Sequence, residues 1–376
     1  MKPYFWAALA AALAVGRVAA LSRDDQCAKG QSIEEDGQWY CQAVQQVLYK
    51  NFSASHHYFQ VSGMNMTTGQ CSMTQRSYGG PLAPFNEPLS IYLKGPIKLR
   101  RFGLFLPKTA DGQAKRHHRP QTAASSSTSA SSSTSASSLT LTTSPPDPEN
   151  MPSGPNYTLN ANYQTMYATL CNFLGYYGDV TIPSDQQVVI VSSQPCDDDS
   201  CGWYPPGSVA HKGFDGPNRI FLFEFSMPHD TSGSDRPSLS LVNARIPSTS
   251  RDWQTNGNST CYNTGCGELD VFTVFSTGGT KVKTNVAVLP FQGGDPNYFI
   301  RPTDPNNPIV VMVFLEAESN SILIKQIDNS TTVPDFLTPA IIKELKKPAT
   351  QDNESVVTFE FPAYFMYGGN GSFGMD

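Results

Sequence analysis

The second half of the chain alternates short apolar runs with turn-forming residues, a pattern that predicts β-strands. The runs are rich in β-branched and aromatic residues, and each is bounded by Gly, Pro, Asn or Asp. Several alternate apolar and polar residues, as strands with one buried face do. The eight runs are QQVVIVSS, NRIFLFEFSM, SLSLVNARI, ELDVFTVF, TNVAVLPF, PIVVMVFLEA, SILIKQI and SVVTFEFP. We therefore expect a mainly β chain folded as a jelly-roll-type β-sandwich.

Elements elsewhere in the chain are fewer. EPLSIYLKGPIKLRRFGLFLP predicts two strands around the turn Lys94-Gly95-Pro96. The segment WYCQAVQQVLYKNF fits either a short helix or a pair of strands. The one convincing helical pattern is FLTPAIIKELKK, close to the C-terminus.

A tract rich in Ser, Thr and Ala, residues 108–150, interrupts the pattern. It has too few apolar side chains to form a core, so we expect a disordered linker that carries O-linked sugar. Within it, the dibasic pair Lys115-Arg116 is either a processing site or the charged edge of the linker. The predicted division is a signal peptide at 1–20, an N-terminal segment at 21–107, the linker, and a β-sandwich domain at 151–376.

The N-terminus predicts secretion. Lys2 precedes an apolar run that is too short to span a bilayer, and Val18 and Ala20 occupy the small-residue cleavage positions. Seven N-x-Ser/Thr sequons, which mark N-glycosylation sites in exported proteins, support this compartment. They begin at Asn51, Asn65, Asn156, Asn258, Asn329, Asn353 and Asn370.

Eight cysteines in an exported chain argue for disulfides. They are Cys27, Cys41, Cys71, Cys171, Cys196, Cys201, Cys261 and Cys266. The last four form two pairs with one spacing, so each pair closes its own loop or the two pairs cross-link. We expect no metal site and no cofactor: a zinc site would need a nearby His pair, and Asp197–Asp199 fit a solvated acidic loop as well as calcium ligands.

Charge and the C-terminal sequence limit the partners. A formal net charge of −6 gives no reason to expect nucleic acid. The C-terminus lacks the apolar tail of a glycolipid-anchor signal, so we expect no membrane anchor. These features indicate a protein that is released from the cell or held in an extracellular matrix.

Candidate chemistry lies on the predicted strand ELDVFTVF. Glu268 and Asp270 are two positions apart, and such residues share one face of a strand. Retaining glycosidases place two carboxyl groups about 5–5.5 Å apart, one as nucleophile and one as acid/base. In the pattern E-x-D-x-x-E a β-bulge returns the last Glu to this face, but Thr273 stands at that position here. The alternative is a half-buried strand with two exposed edge acids.

Longer motifs resemble a known family. They are WYCQAVQQVLYKNFS, TGQC, SYGGPLAPFNEPLSIYLKGPIKLRRF, CGWYPPGSVAHKGFDGPNRIFLFEFSMPHD, NARIP, GCGELDVF and GGDPNYFIRPT. The chain is similar to the fungal cell-wall proteins of the Tos/Pga group, which combine an N-terminal cell-wall domain with an endo-β-1,3-glucanase-type C-terminal domain. The resemblance covers most of the chain apart from the linker and the two ends.

The resemblance implies a sandwich like that of laminarinase-type retaining β-glucanases. It implies Glu268 as nucleophile, Asp270 as its helper and position 273 as the acid/base, with β-1,3-glucan or another wall polysaccharide as partner. Because loss of a general acid costs about 10²–10⁴-fold in rate, Thr273 leaves two hypotheses. One is a secreted glucanase or transglycosylase in which another carboxylate, first Glu224, replaces the acid; the other is a non-catalytic glucan-binding or structural wall protein.

Aromatic residues in loops around the matched motifs are candidates for substrate binding, because flat rings stack on sugars. The alternative is that each ring seals its loop onto the sandwich. The candidates are Trp203, Tyr204, Phe214, Trp253 and Tyr298, with Tyr262 beside them.

Overall fold

Two large sheets stack face to face in this protein. The computed structural model describes Cys27 and residues 32–107, 157–159, 163–166, 180–196, 201–208, 210–247, 254–255, 259–260, 264–288, 291–348 and 356–361. The predicted signal peptide, the Ser/Thr tract and the C-terminal end lie outside these residues. The predicted segment boundaries therefore stay predictions.

Sheet I has nine strands. Their order is β22 (Phe336–Leu337), β8 (Tyr157–Leu159), β7 (Ile97–Pro107), β12 (Arg219–Ser226), β20 (Ile309–Glu316), β21 (Ser321–Ile327), β3 (Gln46–Lys50) and β23 (Val356–Glu360), with β10 (Val180–Ile182) also paired to β7. Its strands are antiparallel except β3 and β23, which run parallel.

Sheet II has eight strands. Their order is β18 (Phe291–Gly293), β17 (Lys281–Val288), β16 (Glu268–Thr273), β13 (Ser238–Asn243), β6 (Leu89–Lys94), β11 (Gln187–Ser192) and β9 (Tyr163–Met166), with β19 (Phe299–Ile300) also paired to β17. Three separate hairpins are β1 (Ile33–Glu35) with β2 (Gln38–Tyr40), β4 (Ser53–Met64) with β5 (Cys71–Pro81), and β14 (Gln254–Thr255) with β15 (Ser259–Thr260).

The core lies between the two sheets. Phe221, Phe223 and Phe225 of β12 point inward from sheet I, and Leu269 and Phe272 of β16 point inward from sheet II, in one buried cluster. Stacked sheets pack about 10 Å apart, so alternate residues of each strand fill this layer while the others face outward. The expected mainly β sandwich is confirmed.

All eight predicted strands are present, as β11, β12, β13, β16, β17, β20, β21 and β23. The two strands predicted around Lys94-Gly95-Pro96 are also present, as β6 and β7, but they lie in different sheets. Residues 38–50 form the strands β2 and β3, so the helical alternative for this segment is wrong. The long hairpin of β4 and β5 was not predicted.

The predicted helix is α1 (Pro339–Lys346), which packs on the outer face of sheet I. The Thr338 hydroxyl caps its N-terminus by accepting a hydrogen bond from the Ile341 N–H at 3.2 Å. At its C-terminus the buried Lys325 ammonium donates to the carbonyls of Leu345 and Lys347. Among the residues described, no helix has the length and apolar character needed to cross a membrane.

Two disulfides have both cysteines among the residues that the structure describes. Cys196 and Cys201 are bonded to each other, as are Cys27 and Cys41. The first bond confirms that this pair closes its own loop and excludes the crossed alternative. Cys261 lies outside the described residues, so its pairing with Cys266 stays a prediction.

A buried guanidinium joins the segments that lead into both sheets. The Arg219 side chain on β12 is fully buried, and burial lowers its pKa to about 10. It donates to the carbonyls of Phe214, at 2.5 Å, Glu87, at 3.1 Å, and Phe85. One charged side chain therefore binds three backbone carbonyls, of which that of Phe214 also accepts from the Leu89 N–H.

Replacing this guanidinium should destabilise the fold. An Arg219→Lys variant keeps the charge but cannot reach three carbonyls, and each acceptor left unsatisfied costs about 1–3 kcal/mol. We expect a loss of at least about 2 kcal/mol in the free energy of unfolding, measured by urea denaturation. The exposed Arg236→Lys is the matched control and should change little. Equal stability of the two variants would contradict this account of Arg219.

Candidate functional site

The two candidate carboxylates lie on the outer face of sheet II. Along β16 the exposure alternates, with Glu268, Asp270 and Thr273 partly exposed and the residues between them buried. These three residues are called the acid row below. The interpretation of Glu268 and Asp270 as neighbours on one face therefore agrees with the geometry of the strand.

A β-bulge sets the position of Thr273. Asp270 lies opposite Ser240 and Phe272 opposite Leu239, so Val271 is the extra residue on β16. The pairing with β17 shifts at the same place, between Asp270 and Thr273. Because one additional residue reverses the alternation, Thr273 returns to the face of Glu268 and Asp270. This is the local geometry that the pattern E-x-D-x-x-E requires.

Polar neighbours from both flanking strands surround Asp270. The Ser240 hydroxyl of β13 donates to Asp270 Oδ1 at 2.8 Å, and Asn285 of β17 lies directly across the strand pair. Burial and then the negative charge of Glu268 raise the pKa of Asp270 to about 7, against a smaller lowering effect of the hydrogen bond from Ser240. The Asp270 carboxyl therefore keeps its proton to a higher pH than a free aspartate does.

The start of β16 is fixed by a polar cluster around Glu87. The Glu87 carboxylate accepts hydrogen bonds from Asn243 Nδ2 at 2.6 Å, from the Tyr58 hydroxyl at 2.9 Å and from Arg76 Nε at 3.1 Å. Tyr58 and Arg76 belong to the hairpin of β4 and β5, whereas Asn243 ends β13. The cluster therefore joins this hairpin to sheet II.

Asn243 carries this connection to the acid row. Its Nδ2 also donates to the Cys266 carbonyl at 2.9 Å, two residues before Glu268. The intervening Gly267 has φ +111°, and a Cβ there would lie 2.7 Å from Pro84. Only glycine fits this close approach at this backbone angle, so the strand is held at the point where Glu268 begins it.

Glu224 lies on the opposite side of the sandwich from the acid row. Its neighbours Ile220 and Leu222, at alternate positions of β12, pack on the outer face of sheet I in the cluster that contains α1. By the same alternation Glu224 points to that face. Both sheets then separate it from the acid row, so the hypothesis that Glu224 supplies the proton is wrong.

The aromatic residues predicted to bind substrate differ in their exposure and contacts. Phe214 is 3 % exposed and packs against Phe102 and Phe221 in the core, so its ring is not available to a sugar. Trp203 is half-buried against the same core, and the Tyr204 hydroxyl donates to the Cys196 carbonyl at 2.8 Å. These contacts are those of rings that seal loops, the alternative given for them above. Trp253 and Tyr262 lie outside the described residues.

An aromatic group that the sequence did not indicate lies beside the acid row. Lys283 of β17 is the cross-strand neighbour of Thr273, and its ammonium donates to the Trp39 carbonyl at 2.6 Å. The same nitrogen lies 5.4 Å from the centre of the Trp39 ring and 4.8 Å from that of Tyr40. Burial lowers the pKa of Lys283 to about 8. The β1–β2 hairpin thus covers β17 next to the Thr273 end of the acid row.

Tyr298 belongs to the same aromatic group. Its ring meets Tyr40 edge-on at a centroid distance of 5.7 Å, and the Lys281 ammonium lies 5.6 Å from its centre. Lys281 also pairs with Glu35 of the hairpin. Among the five candidates taken from the sequence, Tyr298 is the one the described structure joins to the cover over β17.

Metal ligands do not gather in the described part of the chain. Within those residues no group of three or more His, Cys, Asp or Glu side chains is arranged to hold a metal ion. Asp197–Asp199, the possible calcium loop, lie outside them.

Comparison with known proteins identifies the family. Residues 164–345 match the family described as "Cell wall protein YJL171C/Tos1, C-terminal", and residues 45–107 match "Cell wall protein YJL171C/Tos1, N-terminal". The chain belongs to the Tos1 family of cell wall proteins. The expected resemblance to the Tos/Pga group is confirmed.

Curated relatives of this Tos1-family chain span most of its length. "Probable circularly permuted 1,3-beta-glucanase TOS1" of Candida albicans is 26% identical over 79% of this chain and 89% of its own. The protein of that name from Saccharomyces cerevisiae is 26% identical over 78% and 88%. A "Probable circularly permuted 1,3-beta-glucanase" of Arthroderma benhamiae is 26% identical over 91% and 96%. No solved structure matches the chain.

The raised pKa of Asp270 makes the stability of this Tos1-family protein depend on pH. The pKa of an unfolded Asp is about 4, whereas that of the folded Asp270 carboxyl is about 7. Between these values the native protein keeps a proton that the unfolded chain releases, so stability falls as pH rises through this window. Asp270→Asn removes the effect, and the variant should gain thermal stability over the wild type at pH 8 relative to pH 4.

Thermal unfolding at both pH values checks this expectation. Asp335→Asn, at an exposed carboxylate with 70% of its side chain accessible, is the control. A difference between Asp270→Asn and the wild type that is the same at pH 4 and pH 8 would contradict the raised pKa.

Proposed function

We propose that this protein is exported to the cell wall and binds β-1,3-glucan across the acid row through a glucanase-type site that lacks its general acid. Support comes from the relatives, which are named as probable circularly permuted 1,3-beta-glucanases, and from the paired carboxylates on the outer face of sheet II. In this proposal Glu268 is the nucleophile and Asp270 the residue that orients and tunes it.

The observation that carries the proposal is the bulge at Val271. Bulges next to active sites often redirect a side chain, and this one turns position 273 to the face of Glu268 and Asp270. The backbone keeps this device although the side chain that it presents is now Thr273. The geometry therefore favours a site shaped for glycoside chemistry whose proton donor has been lost.

The expected chemistry follows from this difference. In a retaining reaction Glu268 would attack the anomeric carbon while the bond to the leaving oxygen breaks, and an acid would give that oxygen a proton. A threonine hydroxyl cannot supply it near neutral pH, so an ordinary sugar would have to leave as an alkoxide. Loss of this help slows the step about 10²–10⁴-fold. Binding with very slow cleavage is the expected behaviour, and water or a second sugar could accept the glycosyl group.

Restoring the acid should restore hydrolysis. We expect Thr273→Glu to raise the release of reducing ends from laminarin by at least about 100-fold, because the bulge already directs this side chain to the correct face. Reducing-end assays on purified protein measure the effect. A dinitrophenyl β-laminaribioside, whose leaving group needs no proton, should be cleaved by the wild type as well.

Two further variants decide the interpretation. Glu268→Gln in the Thr273→Glu background should abolish the new activity, whereas Glu224→Gln, on the other sheet, should leave it unchanged. If Thr273→Glu and the wild type are both inactive on laminarin and on the activated substrate, the nucleophile assignment is wrong. Binding of laminarin by such an inactive protein would then support the non-catalytic alternative.

Trp39 is the aromatic residue that we place beside the bound glucan. Its ring is half-buried on the cover over β17, next to the Thr273 end of the acid row. Trp39→Ala should weaken binding of laminari-oligosaccharides about tenfold, the effect of losing one stacking contact. Because Lys283 is bound by the Trp39 backbone carbonyl, the variant keeps that hydrogen bond. Calorimetric titration measures the affinity.

Trp203→Ala is the matched control for this measurement. Trp203 packs against the core, so its loss should lower stability without a selective effect on affinity. Unchanged affinity in Trp39→Ala, with intact binding by the wild type, would remove Trp39 from the site and leave the acid row in place.

A further inference from the structure

A cavity of about 490 Å³ lies on the edge of the sandwich, and no residue of the acid row lines it. Its walls come from the segment before β3, the segment between β19 and β20, and the strands β20 and β21. The lining includes Gln45, Ile300, Pro302, Thr303, Asn307 and Gln326. Its volume falls within the range of about 300–1,000 Å³ that is typical of sites for small molecules.

The lining combines apolar surface and neutral hydrogen-bonding groups with two charged residues, Arg301 and Asp304. Ile300 is 66% exposed, which is unusual for a large aliphatic side chain next to a cavity. The amides of Gln45, Asn307 and Gln326 offer both donors and acceptors, and Gln45 Oε1 is buried without a hydrogen-bond partner among the described residues. Apolar patches with amides and few charges suit a saccharide, which has C–H faces and many hydroxyl groups.

A glycosylation sequon, Asn329-Ser330-Thr331, lies beside this cavity. Asn329-Ser330-Thr331 forms an exposed turn directly after β21, held by hydrogen bonds from the Ser330 N–H, at 2.8 Å, and hydroxyl to Asp328 Oδ1. The Asn329 side chain is directed at the cavity wall, because its Nδ2 donates to Asn307 Oδ1 at 3.4 Å.

We propose that Asn329 carries an N-linked glycan whose first sugars lie against Ile300 and Asn307 in this cavity. The co-reactant is an oligosaccharide joined through C1 to a lipid pyrophosphate. The C1–Nδ2 bond forms as the C1–O bond to the pyrophosphate breaks, and the proton lost from the amide balances the charge of the leaving group. No oxidation state changes. Nδ2 keeps one hydrogen, which preserves its bond to Asn307.

A second described sequon provides the internal control. Asn65 Oδ1 accepts hydrogen bonds from the Thr67 and Thr68 N–H groups at 2.9 and 3.0 Å, so it lies in a local turn between β4 and β5. Asn65 does not line the cavity. A glycan there would have no such wall to lie against, and its removal should affect stability less than removal of the glycan at Asn329.

The experiment uses the full chain secreted from a eukaryotic host. Glycopeptide mass spectrometry should find Asn329 occupied. Thr331→Ala removes this glycan but keeps Asn329 and its bond to Asn307, and should lower the thermal midpoint by about 2–4 °C, the shift that about 1 kcal/mol produces in a domain of this size. Thr67→Ala, which removes the sequon at Asn65, should produce a smaller shift.

Ile300→Ser tests whether the glycan occupies the cavity. If sugar packs on Ile300, the shift caused by Thr331→Ala should shrink in the Ile300→Ser background, because the two changes remove the same contact. Additive shifts, or an unoccupied Asn329 in a protein glycosylated at Asn65, would overturn the proposal. Absence of glycan at every sequon would overturn it together with export, whereas loss of glucan binding concerns only the acid row.

Discussion

The burial of two apolar faces against each other is the constraint on which the candidate site depends. Each strand of sheet II must give alternate residues to the core, and Leu269 and Phe272 of β16 do so. Val271 and Phe272 both enter the core opposite Leu239, so β16 carries one extra residue at this point. The bulge therefore lets Val271 and Phe272 enter the core and leaves Thr273 outward beside Glu268 and Asp270, so core packing and the proposed site depend on the same backbone feature.

Polar contacts then hold the ends of this arrangement. Arg219 and Glu87 fix the segments that lead into β6 and β16, while the β1–β2 hairpin fixes the other end through Lys283. Each contact joins parts of the chain that are distant in sequence. The acid row thus lies on a rigid surface, which is the support that a binding or catalytic site needs.

Local sequence patterns predicted which segments form strands, but they did not predict which segments pack against each other. The eight apolar runs predicted strands correctly because each strand has a buried face. β4 and β5 are mostly polar and form a separate two-stranded sheet, so they carry no such pattern. Strand alternation and bulges are local, so the sequence alone places Glu268, Asp270 and Thr273 on one face. It does not place Trp39 beside them, since 244 positions separate Trp39 from its contact Lys283. The sequence also does not indicate whether an aromatic side chain in a loop points to solvent or to the core. Phe214 was therefore predicted to bind substrate, although its ring is buried.

The order of strands has a consequence for processing of the chain. β6 lies between β13 and β11, and β7 lies between β8 and β12, so strands from before and after the Ser/Thr tract are neighbours in both sheets. A protease that cut at Lys115-Arg116 would not release two independent domains. It would leave a nicked, two-chain molecule held together by shared ladders and a common core, with Glu268 on one polypeptide and Trp39 on the other.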